Sequence, residues 1–258
     1  MAPGQLRDPE GLTRVDCDGG VLLVVASSFG APGAKKSGQR QFDDGLLRVP
    51  YTPHGALHAE AMPGFRDWLL RHVPSLAPAG RRNPDAGGLN VEGLAWDPHG
   101  GALLFGLRAP AVPGEIALIR VPVDVGAAVW TTTSLGPPSI VRTRIPKSAA
   151  PQGVRDISFD ESAGHFLILL GRSTSGSDAP FQLGTWDGNS DQIKLLDVAF
   201  HRSMKPEGVT AFRHGDETKI LVVDDGGGYA VLDYPATISR SRGWTRGVPG
   251  APWRDRLA

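Results

Sequence analysis

Short apolar runs separated by turn residues fill most of the chain. The densest runs lie at residues 21–26, 102–107, 166–170 and 220–223, and each follows a turn rich in Gly, Asp or Pro. A further run follows each of them, at residues 45–49, 116–121, 181–186 and 229–234. Runs of roughly four to eight apolar or alternating residues between such turns are typical of β-strands. The pattern therefore predicts an all-β protein made of short meanders.

The segment before each dense run is also repeated. A charged residue is followed by Gly in three copies and by Asp in one, as in Glu10-Gly11, Glu92-Gly93, Arg155-Asp156 and Glu207-Gly208. A single meander cannot bury both of its faces, whereas several meanders stacked around an axis can. We therefore expect one domain, a β-propeller of about four to five blades whose ring is complete or incomplete. The repeat units span about 8–62, 88–150, 151–200 and 203–258.

A helical pattern interrupts the first repeat interval. One apolar stripe recurs at three- and four-residue steps and consists of Phe65, Trp68, Leu69, His72 and Leu76. This spacing places the side chains on one face of an α-helix. Pro63 marks the start of the helix, and Pro74 marks its end. The stripe predicts a short helical insertion at residues 63–76.

Composition narrows the classes of partner. Lys plus Arg and Asp plus Glu both number 27, so the formal net charge is zero. Proteins that bind nucleic acids or anionic membranes normally carry a basic excess, so neither partner is expected. The single cysteine, Cys17, excludes an internal disulfide and a zinc site built on several thiolates. Because we recognise no secretory leader and no membrane-spanning run, we expect a cytoplasmic protein.

Several of the repeated segments resemble an uncharacterised family of bacterial β-propellers. They are Asn90-Val91-Glu92-Gly93-Leu94-Ala95-Trp96-Asp97, Gly106-Leu107-Arg108, Gly153-Val154-Arg155-Asp156 and Lys205-Pro206-Glu207-Gly208-Val209. The family is known as a domain of unknown function and is similar to the esterase-like phytase propellers. The resemblance extends from about Asp8 to Tyr234. It implies a propeller fold but no established activity.

The chain departs from this family in two ways. Family members carry another blade before the position of Asp8, so a reduced ring, an upstream start and a second chain that completes the ring all remain open. The family also carries a Ser-His-Ser run after the second strand of the first repeat. Here the run is Ala26-Ser27-Ser28-Phe29, without histidine.

The repeated charged residues are candidates for chemistry in the channel of the propeller. The first strand of each blade lines that channel, and residues two apart on a strand share a face. We therefore predict catalytic residues at Glu10, Glu92, Arg155 and Glu207. The predicted ligands of a calcium or magnesium ion are Asp8, Asn90, Glu92 and Glu207, because hard cations prefer oxygen. A small anionic substrate would be held by Arg108, Arg172 and Lys205.

Two functions are compatible with this set. The first is a metal-assisted hydrolase of phosphate or carboxylic esters, suggested by the carboxylates and the phytase-like relatives. The second is a non-catalytic binding or scaffold propeller for a protein partner or a ligand, in which the three glutamates and Arg155 neutralise each other. No nucleophile elbow, P-loop or zincin motif is present. Residues 236–258 supply an outer strand of the last blade, or its open edge pairs with a partner or a second copy.

Overall fold

Four antiparallel sheets ring a common axis in the manner of a four-bladed β-propeller, which confirms the predicted fold class. The structure is a computed structural model. It describes residue 6 and residues 8–17, 20–31, 45–146, 148, 150–201 and 203–234. The predicted outer strand at 236–258 lies outside the described residues.

Each sheet is a simple meander in which consecutive strands are neighbours. The first sheet contains β1 (Pro9–Cys17), β2 (Gly20–Ser27), β3 (Leu46–Tyr51) and β4 (Glu60–Met62). The second contains β5 (Asn90–Asp97), β6 (Ala102–Ala109), β7 (Glu115–Pro122) and β8 (Ser139–Arg144). The third contains β9 (Gln152–Asp160), β10 (His165–Arg172), β11 (Gln182–Trp186) and β12 (Lys194–Leu195). The fourth contains three strands among the described residues, namely β13 (Pro206–His214), β14 (Glu217–Asp224) and β15 (Tyr229–Asp233).

Tight turns connect the first and second strands of each sheet. After β5, one carboxylate oxygen of Asp97 accepts the backbone N–H groups of His99 and Gly100, each at 3.0 Å. Gly101 then has a φ of 55°, a conformation that strongly favours glycine. Gly164 takes the same role after β9, with a φ of 68°. These side-chain and backbone preferences explain why the turns could be recognised from sequence.

One α-helix, α1 (Phe65–His72), forms where the apolar stripe predicts it and ends just before Pro74. Phe65 packs at 5.2 Å between ring centroids against both Phe29 and Phe105. Phe29 follows the first sheet and Phe105 lies in the second, so the helix covers the junction of these two sheets. Short 3-10 turns follow at Pro74–Leu76, Ala79–Arg81, Pro84–Ala86 and Thr132–Ser134. None of the helices in the described segments is long and apolar enough to cross a membrane.

Three apolar clusters join the sheets in series. The first joins sheets one and two together with α1, the second joins sheets two and three, and the third joins sheets three and four. The first strand of each sheet is its inner strand. The inner strands pack on one another in the same order, β1 on β5, β5 on β9 and β9 on β13. Among the described residues, β13 and β1 make no contact of comparable extent. We call this junction between the fourth and first sheets the seam.

Candidate functional site

A β-bulge presents each repeated charged residue. In β1, Pro9 pairs with Ser27 and Gly11 pairs with Ala26, which leaves Glu10 as an extra residue. The register skips the corresponding residue in each of the other inner strands, namely Glu92, Arg155 and Glu207. A bulge redirects a side chain and bends the strand, and bulges are common beside functional sites. The assumption that alternate residues share a face therefore fails at these positions.

We call the four residues Glu10, Glu92, Arg155 and Glu207 the charged layer. Three of them, all except Glu10, form one network of ion pairs. Glu92 is buried, and its Oε2 lies 2.6 Å from Nη1 of Arg155. Its Oε1 accepts a bond of 2.6 Å from Nη1 of Arg108 and a longer one of 3.3 Å from Asn90. Nη2 of Arg155 also donates to Glu207. The Arg155 guanidinium thus bridges the inner strands of the second and fourth sheets.

The network balances charge that burial would otherwise penalise. Burial raises the pKa of Glu92, and the guanidiniums of Arg155 and Arg108 oppose that rise. Buried charges persist in proteins when they are paired and hydrogen-bonded. Glu92 and Glu207 are engaged in this way by neighbouring arginines.

Glu10 has different neighbours. Burial, the nearby carboxylates of Glu92 and Asp8 and a hydrogen bond with Asp8 raise its pKa to about 8, although Arg155 opposes the rise. No ion pair to Glu10 is formed within the described residues. Asp8 itself is exposed and has a φ of 56°, and its carbonyl accepts a 3.1 Å bond from the N–H of Ser28. We therefore expect the Glu10 carboxyl group to hold its proton near neutral pH.

The predicted substrate-binding residues have different partners in the structure. Arg108 joins the charged layer, and its Nε also donates to the carbonyl of Arg172 at 3.2 Å. The Arg172 side chain is exposed. Lys205 is exposed too, with its Nζ 3.9 Å from Asp225. No ion pair within the described segments joins Arg172 or Lys205 to the charged layer.

The predicted cation site stays a prediction. The part of the chain that the structure describes contains no group of three or more His, Cys, Asp or Glu side chains that could hold a metal ion. Of the four predicted ligands, Glu92 and Glu207 are paired with Arg155, and Asn90 donates to Glu92.

The residue after each charged residue controls how closely the sheets approach. A Cβ atom on Gly11 would lie 2.5 Å from Cβ of Leu94 in the second sheet. One on Gly93 would lie 2.9 Å from the backbone nitrogen of Ile157 in the third. At the next position Asp156 replaces glycine, and its Oδ2 accepts a 2.7 Å bond from the N–H of Val209 in the fourth sheet. Each of these positions therefore meets the aliphatic residue that follows the equivalent position in the next sheet.

This relationship breaks at the seam. Leu94, Ile157 and Val209 are at most 3% exposed, because the preceding sheet covers each of them. Leu12 is the equivalent residue of the first sheet, and it is 61% exposed. A Cβ on Gly208 would meet Val223 of its own sheet and Oδ2 of Asp156, but nothing from the first sheet. The fourth and first sheets therefore do not make the contact that joins the other three pairs.

A groove of about 1060 Å³ follows the seam. Its walls include Leu12 and Leu23 from the first sheet, with Leu221 and Val223 from the fourth. Six carboxylates also line it, namely Glu10, Asp16, Asp156, Asp160, Glu161 and Glu207, against two arginines, Arg14 and Arg213. Burial raises the pKa of Asp156 to about 7, although the N–H groups of Val209 and Ile157 oppose the rise. The groove thus has apolar walls, and acidic side chains outnumber basic ones in its lining.

Sequence reasoning missed this groove and the role of Asp156. The pattern of charged, small and aliphatic residues was visible, but which sheets face each other depends on how far each sheet turns around the axis. In the third copy Asp156 stands where the other copies have Gly, and this difference was a signal that the packing there differs.

Comparison of the chain with protein-family models and with curated proteins found no match in either case.

Proposed function

We propose that the protein is a binding propeller whose seam groove accepts an extended polypeptide segment. The observation that carries this proposal is the exposure of Leu12, whose three equivalents are buried by a neighbouring sheet. An inner strand placed against Leu12 would restore the missing contact. The segment it binds is therefore expected to present a small residue at that point.

The wall of the seam that the fourth sheet forms is suited to bury such a segment. Val223 and Val231 on the fourth sheet are 38% and 48% exposed, and Leu221 pairs with Val231 on the same face. The opposite face of that sheet, with Ile220 and Val222, is already buried against the third sheet. Removal of apolar surface from water favours binding by roughly 25 cal/mol per Å².

The charge of the groove selects among segments. Six carboxylates against two arginines favour a segment with basic side chains. Glu10 adds to this preference, because a cation beside it would favour its ionised form. The expected ligand is an extended peptide with a basic residue, a small residue and an aliphatic residue in succession.

Peptide titration tests this proposal. Fluorescence anisotropy would compare nine-residue peptides centred on Arg-Gly-Val and Glu-Gly-Val. We expect the basic peptide to bind with a dissociation constant of roughly 1–100 μM and the acidic one at least about tenfold more weakly. Equal binding of both peptides, or binding of neither, would contradict the proposal.

A matched pair of variants locates the binding. Leu12 and Leu57 are 61% and 62% exposed, but only Leu12 lines the groove. Leu12→Asp should weaken binding of the basic peptide by at least about tenfold, and Leu57→Asp should leave it unchanged. Similar effects of the two variants would place the binding outside the seam.

Ester hydrolysis is the second candidate, and Glu10 is the observation that favours it. A carboxylic acid that holds its proton near pH 7 can act as a general acid toward a bound ester. Its position in a groove meets one criterion for a catalytic site. A panel of aryl phosphate and carboxylic esters tests this candidate. Turnover that Glu10→Gln abolishes, while Glu161→Gln in the same groove does not, would support hydrolysis.

A further inference from the structure

We infer that the chain fills its own seam with a segment centred on Arg246, Gly247 and Val248. The inference rests on the proposed function, because it names the segment that the groove accepts. These residues lie outside the described part of the structure and follow the fourth sheet in the chain.

The segment repeats the pattern of the inner strands. Each of the four copies places a charged residue, then Gly or Asp, then an aliphatic residue, and Arg246-Gly247-Val248 has the same order. In the three packed pairs, the small residue of one strand meets the aliphatic residue of the next. A fifth strand between the fourth and first sheets would place Gly247 against Leu12 and Val248 against Gly208. It would fill both gaps at the seam.

Charge supports the same placement. Residues 235–258 contain five arginines and one aspartate, whereas six carboxylates and two arginines line the groove. In register with the other copies, Arg246 would enter the charged layer beside Glu10. It would then favour the ionised form of Glu10 and pair with it, as Arg155 pairs with Glu92 and Glu207.

The chain is long enough to reach this position. Tyr234, the last described residue, stacks on His165 at 5.8 Å between centroids, and it is electrostatically coupled to Asp160 in the groove wall. The 12 residues from Tyr234 to Arg246 can span about 40 Å, and a nine-residue strand such as β13 is about 30 Å long. The spacing also resembles the one before Glu207, which follows the end of β12 by 12 residues.

Accessibility of position 12 tests whether the seam is filled. In a Cys17→Ser background, Leu12→Cys and the equally exposed Leu57→Cys would be labelled with a maleimide in the full-length chain. We expect Leu12→Cys to react at least about tenfold more slowly, because labelling would require the segment to open. Adding Gly247→Leu or Arg246→Glu should remove this protection, whereas Gly243→Leu should not. Equal labelling of both cysteines would overturn the inference.

The peptide titration separates this inference from the proposed function. If the segment competes for the groove, Gly247→Leu should bind the basic peptide at least about tenfold more tightly than the wild type or Gly243→Leu. Equal binding by these three proteins would overturn the inference and leave the proposed function in place. Protection of position 12 that depends on Gly247, with no peptide bound by any variant, would support the inference and overturn the proposed function.

A second copy of the chain is the competing occupant. It would protect position 12 only at high protein concentration, and light scattering would then give twice the mass of one chain. Protection that is independent of concentration, at the mass of one chain, supports the intramolecular segment. Protection that disappears on dilution would overturn it.

Discussion

Glu10 and Glu92 occupy equivalent bulges in neighbouring inner strands, yet their surroundings differ. Two guanidiniums lie against Glu92, whereas burial and the nearby carboxylates of Glu92 and Asp8 raise the pKa of Glu10. A carboxyl group among like charges holds its proton to a higher pH. The titration of Glu10 therefore depends on which charges lie beside it at the seam.

The pH dependence of stability should reveal the neighbour of Glu10. With its pKa raised from 4.5 to about 8 in the fold, Glu10 lowers the free energy of unfolding as the pH rises through this window, because the unfolded chain releases the proton first. Below pH 4.5 the carboxyl is protonated in both states and has no effect. In an Arg246→Gln background, Glu10→Gln should therefore raise the free energy of unfolding by roughly 1–2 kcal/mol between pH 5 and 8, a value reduced for partial exposure.

In the wild-type background the same substitution should have a smaller effect, because Arg246 would favour the ionised carboxylate. Urea unfolding at several pH values measures both differences. The charged groups around Glu10, namely Asp8, Glu92 and Arg155, are unchanged in all four proteins, as is Asp156. If the effect of Glu10→Gln on the free energy of unfolding had the same pH dependence in both backgrounds, Arg246 would not lie near Glu10.

Loss of the central guanidinium should be costly. Arg155→Ala leaves Glu92 buried with one partner fewer, and breaking a buried pair typically costs about 3–5 kcal/mol. Arg144 pairs with Asp191 at the same 2.6 Å, but both side chains are exposed, so Arg144→Ala should cost about 0–1 kcal/mol. Urea unfolding at pH 7 compares the two. Equal losses would mean that the charged layer is no more important than a surface pair.

A thermal melt tests the predicted cation site. We expect calcium, magnesium and manganese to shift the melting temperature of the EDTA-treated protein by less than about 1 °C, because Arg155 already occupies the carboxylates of Glu92 and Glu207. A rise that is specific to one ion and that Glu92→Gln removes would show a metal in the channel. It would also strengthen the hydrolase candidate.

At the scale of the strand, the bulge and the small residue after it act together. The bulge redirects the charged side chain, and the small residue lets the next inner strand approach within van der Waals distance. Asp156 shows a second solution, because its carboxylate bonds to the backbone of the neighbouring strand rather than yielding space to it.

Substitution of glycine by alanine should destabilise the protein where two inner strands pack closely, and should have little effect at a glycine that has free space around it. Gly93→Ala would bring a methyl group 2.9 Å from the backbone of Ile157, where relief requires a movement of the sheets, and should cost about 1–3 kcal/mol. Gly176 has nothing within 4 Å, and Gly176→Ala should change the free energy of unfolding by less than about 0.5 kcal/mol. Denaturant unfolding provides the measurement. A neutral Gly93→Ala would show that the second and third sheets do not pack so closely.

At the scale of the molecule, the sheets form a series rather than a continuous ring among the described residues. The second and third sheets each pack against apolar clusters on both faces. The fourth sheet shares only the smallest described cluster, which joins it to the third sheet. Stability in such an arrangement is distributed unevenly, because a terminal unit can open without disrupting the others.

Hydrogen exchange should show that the fourth sheet is less stable than the second. Backbone amides near Val222 in β14 should exchange at least about tenfold faster than those near Leu104 in β6, because the fourth sheet can open separately. Both residues are completely buried, so exposure alone does not account for a difference. Uniform exchange rates in β6 and β14 would indicate that the propeller unfolds as one cooperative unit.

The amino-acid sequence by itself determined the first three strands of each sheet, their turns and the helix, because local preferences specify these elements. Dense apolar runs, Asp and Gly at the turns and the stripe through Phe65 act over a few residues. Repetition of the charged and small residues then indicated a propeller. Only the tertiary structure decided that Arg155 bridges Glu92 and Glu207, and that no other sheet of the described residues covers Leu12. Both depend on bulges and on the angles between sheets, which accumulate over contacts between residues far apart in the chain.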